Sequence, residues 1–243
     1  MKGTVKLALA VAMLQIAATS HATLIFFRSV PDKGAWVELR IDPGVAAGKD
    51  EKPSYVRLTA GEVTDRQGKR HQRVDLSGSW AGQPLKAQYQ VDLAALKERG
   101  GPAGCVRLQA AWVADGEGWR PLTSDEPLWN FYSGILIGAR SATVSDEAVT
   151  LDEPAALKGL KLRLLTVPVH GVDIGVGGNV KRRFRAWISD QVPFGVAKWE
   201  DRMEMPDDEK TVITTVATLA AMGSGEEGPP KSTPGSKPGD GTE

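Results

Sequence analysis

Apolar and polar residues alternate with a period of two along much of this chain. In residues 36–41 every second side chain is apolar, residues 56–60 repeat the pattern, and residues 85–93 form the longest alternation. Because successive side chains of a β-strand point to opposite faces, this pattern predicts strands with one buried face. The sequence therefore predicts a sheet that covers a core on one side.

Turn and helix signals divide these strands. Asp65 to Lys69 predicts a hairpin turn, since Gly68 can adopt a positive φ. A short helical turn is predicted over residues 92–99, and a longer helix over 128–136 follows the capping residues before it. Further strands are predicted over residues 106–113, 160–169, 180–188, 195–200 and 211–219.

These elements predict a mainly β (α+β) fold: a single curved, largely antiparallel sheet or partly open barrel with one or two short helices. Residues 23–222 are predicted to form this single β-rich domain. Residues 223–243 are rich in glycine and proline and contain no large apolar side chain. They cannot bury enough apolar surface to offset the conformational entropy that the chain loses when it becomes ordered. A disordered Gly/Pro-rich tail is predicted there.

The first 22 residues have the pattern of a secretory signal peptide. Lys2 and Lys6 precede a 12-residue, mainly apolar run, and Ser20 to Ala22 supplies small residues for cleavage near Ala22. The run is shorter than the ~20 residues that span a bilayer. We therefore expect an exported protein, periplasmic or extracellular, with no transmembrane span in the mature chain.

Composition excludes several classes of function. The 243 residues carry 30 basic and 30 acidic side chains, and removal of residues 1–22 leaves a formal charge of −2. A balanced charge disfavours nucleic acid binding, which requires a basic excess. Cys105 is the only cysteine, so the chain has no internal disulfide. We expect it to pack as a small apolar side chain.

Catalytic and metal-binding motifs are missing from the sequence. It contains no Gly-x-Ser-x-Gly elbow, no phosphate-binding loop and no Gly-x-Gly-x-x-Gly fingerprint. Only His71 and His170 would remain after cleavage, and they lie far apart in the chain. We therefore expect no enzymatic activity, no cofactor and no metal site.

Two groups of residues are candidate contact surfaces. On a strand, Lys181, Arg183 and Arg185 share one face, which either meets an anionic lipid or polysaccharide or is a solvated, charged edge. The chain also has seven tryptophans. Three of them, Trp36, Trp112 and Trp187, lie in strand patterns and are expected in the core, whereas Trp119 is expected to be exposed in a turn.

Several short segments together resemble a family of uncharacterised exported proteins of planctomycete-type bacteria. They are residues 30–37, 61–68, 85–93, 106–107 with Trp112, and 186–196. The resemblance extends over residues 30–222, and its most specific part is the final motif Ser-Asp-Gln-Val-Pro-Phe-Gly-Val. The family supplies no catalytic residues to carry over.

The final motif is also similar to the Trp…Val-Pro-Gly-Gly pattern of periplasmic lipoprotein-carrier (LolA-like) domains. That similarity implies an incomplete barrel that holds acyl chains, by analogy of fold alone. The motif forms either a structural corner or the lip of a binding groove. The candidate groove residues are Trp119, Trp187, Val192, Pro193, Phe194 and Gly195.

Three functions follow as expectations. The first is an exported, non-enzymatic binding protein that holds an apolar or lipid-like ligand in a curved-sheet cup, which requires an apolar cavity. The second is a structural or adaptor module that binds another envelope component, which requires an exposed apolar patch. The third is a sugar-binding module, which requires two or more coplanar, exposed aromatic side chains and fails if only Trp119 is exposed.

Overall fold

A computed structural model describes residues 28–42, 53–66, 68–80, 83–94, 108–114, 118–123, 142–173, 179–204 and 212–225. The predicted signal peptide, the predicted helix over 128–136, Cys105 and most of the predicted tail lie outside the described residues. Those predictions therefore stay predictions.

The described residues form eleven β-strands. They are β1 (Trp36–Asp42), β2 (Ser54–Arg66), β3 (Lys69–Trp80), β4 (Gln83–Asp92), β5 (Leu108–Ala114), β6 (Trp119–Pro121), β7 (Thr143–Val149), β8 (Leu162–Asp173), β9 (Asn179–Ile188), β10 (Val196–Glu204) and β11 (Val212–Gly223). Two 3-10 turns, Ala155–Leu157 and Pro193–Gly195, lie between strands.

All eleven strands belong to one open, curved sheet in which every pairing is antiparallel. The spatial order is β6-β5-β4-β3-β2-β1-β11-β10-β9-β8-β7. The sheet therefore consists of two meanders, β1 to β6 and β7 to β11, that are joined where the first strand pairs with the last. The edge strands β6 and β7 are consecutive in the chain and are connected by residues 122–142. This architecture confirms the predicted fold class.

The alternating residues place one apolar face of the sheet inside the protein. Leu58 on β2 pairs with Val37 on β1 and with Leu76 on β3, and Leu76 pairs with Ala87 on β4. Paired residues of neighbouring strands point to the same face, so these side chains form a continuous inner row. Every side chain of the buried hydrophobic cluster exposes at most 7 % of its surface.

One ion pair interrupts the apolar inner face. Arg182 on β9 donates from Nε to Asp201 Oδ1 on β10 over 2.7 Å, and from Nη2 to Oδ2 over 2.6 Å. Both side chains are almost completely buried. The two parallel hydrogen bonds satisfy the planar guanidinium and the carboxylate together, which offsets part of the cost of removing both charges from water.

Several boundaries differ from the predicted ones. β4 continues to Asp92, and helical backbone begins only at Leu93, so the helix predicted from residue 92 begins one residue later. The final strand extends to Gly223. Strand β7 was not predicted, because its sequence TVSDEAV is mostly solvent-exposed and lacks an apolar face. Gly68 has φ +74° and forms the predicted hairpin turn between β2 and β3.

Candidate functional site

A groove with a volume of about 350 Å³ lies on the outer face of the sheet, towards the β6 edge. It crosses β2, β3, β4, β5 and β6, which span four inter-strand spacings, or about 19 Å. Polar, charged and aromatic side chains surround it. The lining residues are Glu62, Thr64, Arg73, Gln88, Tyr89, Gln90, Trp112 and Trp119.

Strand register brings these residues together from distant parts of the sequence. Arg73 on β3 pairs with Gln90 on β4, and Gln88 on β4 pairs with Trp112 on β5. Trp119 on β6 pairs with Ala114, two residues beyond Trp112 on the same face of β5. Outward side chains from four strands therefore converge on one surface. Tyr89 points to the inner face, where burial raises the pKa of its phenol and keeps it neutral.

Two tryptophans form the aromatic part of the groove. Trp119 exposes 48 % of its surface, which confirms the expected exposure, although it lies in a short strand and not in a turn. Trp112 is half-buried on the outer face and not in the core as expected, because its neighbour Ala111 takes the inward position on β5. The groove thus carries two partly exposed indole rings on one side of the sheet.

Arg73 is the basic side chain in the groove. Its Nε donates to Asp75 Oδ2 over 3.0 Å, and about half of its side chain is exposed. Glu62, on the neighbouring strand β2, forms an ion pair with Lys33. Both charged lining residues are therefore paired with an opposite charge, and both remain accessible to solvent.

The basic run of β9 lies on the same outer face but far from the groove. Lys181, Arg183 and Arg185 are exposed, as the alternation predicted, while their neighbours on the strand point inward. Arg183 Nε lies 3.5 Å from Glu204 of β10, and Arg185 Nε donates to Glu200 over 2.6 Å. Two of the three cations are therefore matched by glutamates.

Trp187 belongs to this charged surface. It is half-buried on the outer face, in contrast to the expected core position, with Arg185 5.2 Å and Lys198 4.6 Å from the centre of its ring. Lys198 also lies 3.1 Å from Glu200. Partial burial alone would raise the pKa of Glu200, but hydrogen bonds and charges from Lys198 and Arg185 outweigh it and hold the pKa below its ordinary value.

The Val-Pro-Phe-Gly segment turns inward. Val192, Phe194 and Gly195 are buried, and Pro193 is half-buried. Phe194 has φ +66°, and its carbonyl accepts hydrogen bonds from the backbone amides of Arg28 and Ser29. The structure does not bring this segment together with Trp119, which lies at the opposite part of the sheet. A role for the segment in binding stays a prediction.

The inner face offers little open surface among the described residues. Its apolar side chains are covered by the protein itself, and the 3-10 turn residues Leu157 and Phe194 belong to the same buried cluster. The Trp199 Nε1 atom is buried there without a hydrogen-bond partner. Within the described ranges, an apolar ligand would have to replace side chains of the protein.

His71, which shares a face of β3 with Arg73, is buried, and neither of its ring nitrogens has a hydrogen-bond partner. No three His, Cys, Asp or Glu side chains of the described residues lie close enough together to hold a metal ion. None of the described helical segments is both long enough and apolar enough to cross a membrane.

No protein-family model matches the sequence, and no curated protein sequence matches it. A candidate exported protein with a YmcC-like fold from Bacteroides fragilis shares 10% identity over 82% of this chain and 99% of its own, with a TM-score of 0.34. A candidate lipoprotein from Parabacteroides distasonis shares 8% identity over 81% of this chain and 98% of its own, with a TM-score of 0.39.

A DUF1329 family protein from Desulfovibrio piger shares 9% identity over 78% of this chain and 84% of its own, with a TM-score of 0.29. At such scores the likenesses do not define a family for this chain. The resemblances seen in the sequence therefore stay predictions.

Proposed function

We propose that this protein is an exported, non-enzymatic binding protein that holds a saccharide in the outer-face groove. The observation that carries the proposal is the presence of Trp112 and Trp119 in one groove together with amide and charged side chains. Export is proposed from the signal-peptide pattern of residues 1–22, and the absence of catalysis from the lack of hydrolase motifs in the sequence.

The groove matches the two kinds of surface that a sugar presents. A pyranose ring has apolar C–H faces, which pack on the flat face of an indole, and a rim of hydroxyl groups that donate and accept hydrogen bonds. The amides of Gln88 and Gln90 supply both donors and acceptors for such a rim. A groove that crosses five strands is also long enough to hold several linked rings.

The test measures binding of the mature chain to hexasaccharides of glucose, xylose, mannose and galacturonic acid by titration calorimetry. We expect at least one of them to bind, and Trp119→Ala to weaken that binding tenfold or more, about 1.4 kcal/mol. Trp187→Ala is the matched control, since Trp187 is also partly exposed on the outer face but lies outside the groove; it should change the affinity less than twofold.

Two outcomes would contradict the proposal. One is that the folded wild-type protein binds no hexasaccharide of the panel. The other is that Trp119→Ala binds as tightly as the wild type while Trp187→Ala loses binding, which would move the site to the β9–β10 surface. Far-UV circular dichroism of each variant shows whether its sheet is intact.

An apolar or lipid-like ligand on the inner face is the second candidate. It is favoured by the continuous apolar surface that extends from β1 across both meanders. It ranks second because the described part of that surface is already covered. Native mass spectrometry of protein purified from its own cell envelope distinguishes the candidates: a co-purifying lipid supports the second, and a lipid-free mass supports the saccharide groove.

The adaptor interpretation is less well supported. It requires an exposed apolar patch, but the large exposed hydrophobic side chains of the described residues are spread over five strands. They are Tyr55, Val63, Trp119, Val149, Val169 and Met222. Isolated exposed apolar residues are usual on protein surfaces and do not indicate an interface.

A further inference from the structure

We infer that the outer-face groove selects acidic saccharides, and that the guanidinium of Arg73 binds their carboxylate. This inference rests on the proposed function, which it makes more specific by naming the class of sugar. It depends on how Arg73 is held, on which of its nitrogens remain available, and on the charges around it.

Asp75 holds Arg73 by one nitrogen only. Arg73 Nε donates to Asp75 Oδ2 over 3.0 Å, and Asp75 Oδ1 is buried without a partner. The two terminal nitrogens of Arg73 have no hydrogen-bond partner in the described part of the chain, and the side chain is 52% exposed. Asp75 thereby fixes the direction of the guanidinium and leaves its terminal fork to solvent.

A glycine on the neighbouring strand makes room for this arrangement. A Cβ atom at Gly61 would lie 2.8 Å from Arg73 Nε and 3.2 Å from Arg73 Cβ, which is too close for a normal contact. Gly61 belongs to the irregular part of β2 where the register with β3 shifts. Any other residue at this position would displace the Arg73 side chain from its place across β2.

The free fork of a guanidinium matches the geometry of a carboxylate. Two parallel N–H···O bonds form when its terminal nitrogens meet both oxygens of one carboxylate, and such charge-assisted pairs are about twice as strong as neutral hydrogen bonds. A hydroxyl group offers a single oxygen and no charge. An arginine that is already oriented also loses less side-chain entropy when it binds.

Asp75 already offsets part of the charge of Arg73, and one further carboxylate lines the groove. Glu62 is the only carboxylate among the lining residues, and its charge is matched by Lys33. Gln90 pairs with Arg73 across β3 and β4, so its neutral amide lies on the same face of the sheet. On the β4 side of the groove, an acidic ligand therefore meets neutral side chains and no further acid.

The distance between the aromatic and basic groups indicates an oligosaccharide. Arg73 lies on β3 and Trp112 on β5, two inter-strand spacings or about 10 Å apart along the hydrogen-bonding direction. The Arg73 side chain also lies towards Gly61 on β2, away from β5, which adds to this separation. A chain of uronic acid residues places one ring on an indole while the carboxylate of another ring reaches Arg73.

The experiment compares ligands that differ only in charge. Hexamers of galacturonate and of mannuronate are titrated into the mature protein, each as the free acid and as the full methyl ester, which keeps the ring but removes the carboxylate charge. We expect at least one acid to bind tenfold or more tightly than its ester. Addition of salt should reduce this preference, because ionic screening weakens exposed charge pairs.

Variants then assign the preference to Arg73. Arg73→Gln should reduce the ratio of acid to ester affinity to less than twofold, and Arg73→Lys should give an intermediate ratio, because it keeps the charge but loses the fork. Arg185→Gln is the matched control: Arg185 also bridges a carboxylate on the outer face and is 55% exposed. It should leave the ratio unchanged.

The possible results separate the inference from the proposed function. If the methyl esters or the neutral hexasaccharides bind but no acid is preferred, the acidic selectivity is wrong and the saccharide groove stands. An acid preference that survives Arg73→Gln in a folded variant overturns the role of Arg73. If neither acids, esters nor neutral hexasaccharides bind the folded wild type, both the inference and the proposed function are overturned.

Discussion

Phe194 combines a strained backbone with a buried side chain. Its φ of +66° lies in the left-handed region, which costs a residue with a Cβ atom roughly 1–2 kcal/mol. The ring is 1 % exposed and belongs to the main hydrophobic cluster. Burial of the ring therefore offsets the backbone strain at the turn between β9 and β10.

This balance predicts an unusual order of stability for two variants. Phe194→Ala should lower the free energy of unfolding by about 3–5 kcal/mol, because the ring leaves a cavity. Phe194→Gly loses the same ring but relieves the strain, so it should be at least as stable as Phe194→Ala. In an ordinary strand, glycine is the less stable of the two by about 0.5–1 kcal/mol. Urea denaturation measures both, and a clearly less stable glycine variant would contradict the explanation.

The position of a single side chain could be predicted from the sequence only where the residues next to it indicate that position. The exposure of Trp119 and the outward face of the basic run followed from local pattern. The groove residues Arg73, Gln88 and Gln90 carry no motif, since polar side chains on the outer face of a strand are usual. Register between strands brings them together, and sequence alternation does not determine register.

At the scale of the element, β9 and β10 are linked by charge on both faces. The Arg182–Asp201 pair is buried on the inner face, and the Arg185–Glu200–Lys198 group is partly exposed on the outer face. The buried pair should dominate stability, because a charge that loses its partner in the interior remains uncompensated.

Asp201→Asn should therefore lower the free energy of unfolding by about 3–5 kcal/mol, as expected when one member of a buried ion pair is removed. The double variant Arg182→Met/Asp201→Leu replaces both charges by apolar side chains and should be more stable than Asp201→Asn alone. Chemical denaturation of the three proteins tests this. A double variant less stable than the single one would show that the pair itself contributes the stability.

The partly exposed Arg185–Glu200–Lys198 group predicts that the free energy of unfolding depends on pH. Since the pKa of Glu200 is lowered in the folded protein, its ionised form stabilises the fold above the unfolded value of about 4.5, and this contribution is lost as the pH falls through the folded value. Glu200→Gln should cost at most about 1 kcal/mol at pH 7, because the pair is partly exposed. The difference from wild type should shrink in denaturation curves below pH 4.5; a constant difference would contradict the assignment.

Strand prediction succeeded where one face is apolar and failed where neither is. The alternation in β1, β2 and β4 identified their inward residues. Strand β7 has no buried face along Thr143–Val149, and β6 consists of three residues, so neither carries a period of two. Edge strands of this kind are held by hydrogen bonds to one neighbour and leave little trace in the sequence.

At the scale of the whole molecule, the sheet places its first and last described strands side by side at its centre. β1 pairs with β11, and Gly225 N donates to Gly34 O over 3.0 Å just beyond that pairing. The two edges, β6 and β7, are hydrogen-bonded to one neighbour each and not to one another. No sheet hydrogen bond of the described strands therefore depends on the peptide link between the two meanders.

This topology predicts that a circular permutant folds. The chain would be opened between Thr123 and Ser124, and Gly225 would be joined to Arg28 by a flexible linker, which turns β11 and β1 into a hairpin. Its circular dichroism spectrum should match the wild type, and its free energy of unfolding should lie within about 2 kcal/mol. A permutant that lacks the sheet spectrum, or whose free energy of unfolding is lower by clearly more than this, would contradict the topology.

The pairing of β1 with β11 determines when the sheet can be completed during synthesis. β1 is among the first segments to be synthesised and β11 among the last, so the middle of the sheet is completed only when nearly the entire chain has emerged. Until then one side of β1 has unpaired amide and carbonyl groups, which in other proteins invite association with foreign strands. Any protection of β1 against such association would have to last until β11 is available to pair with it.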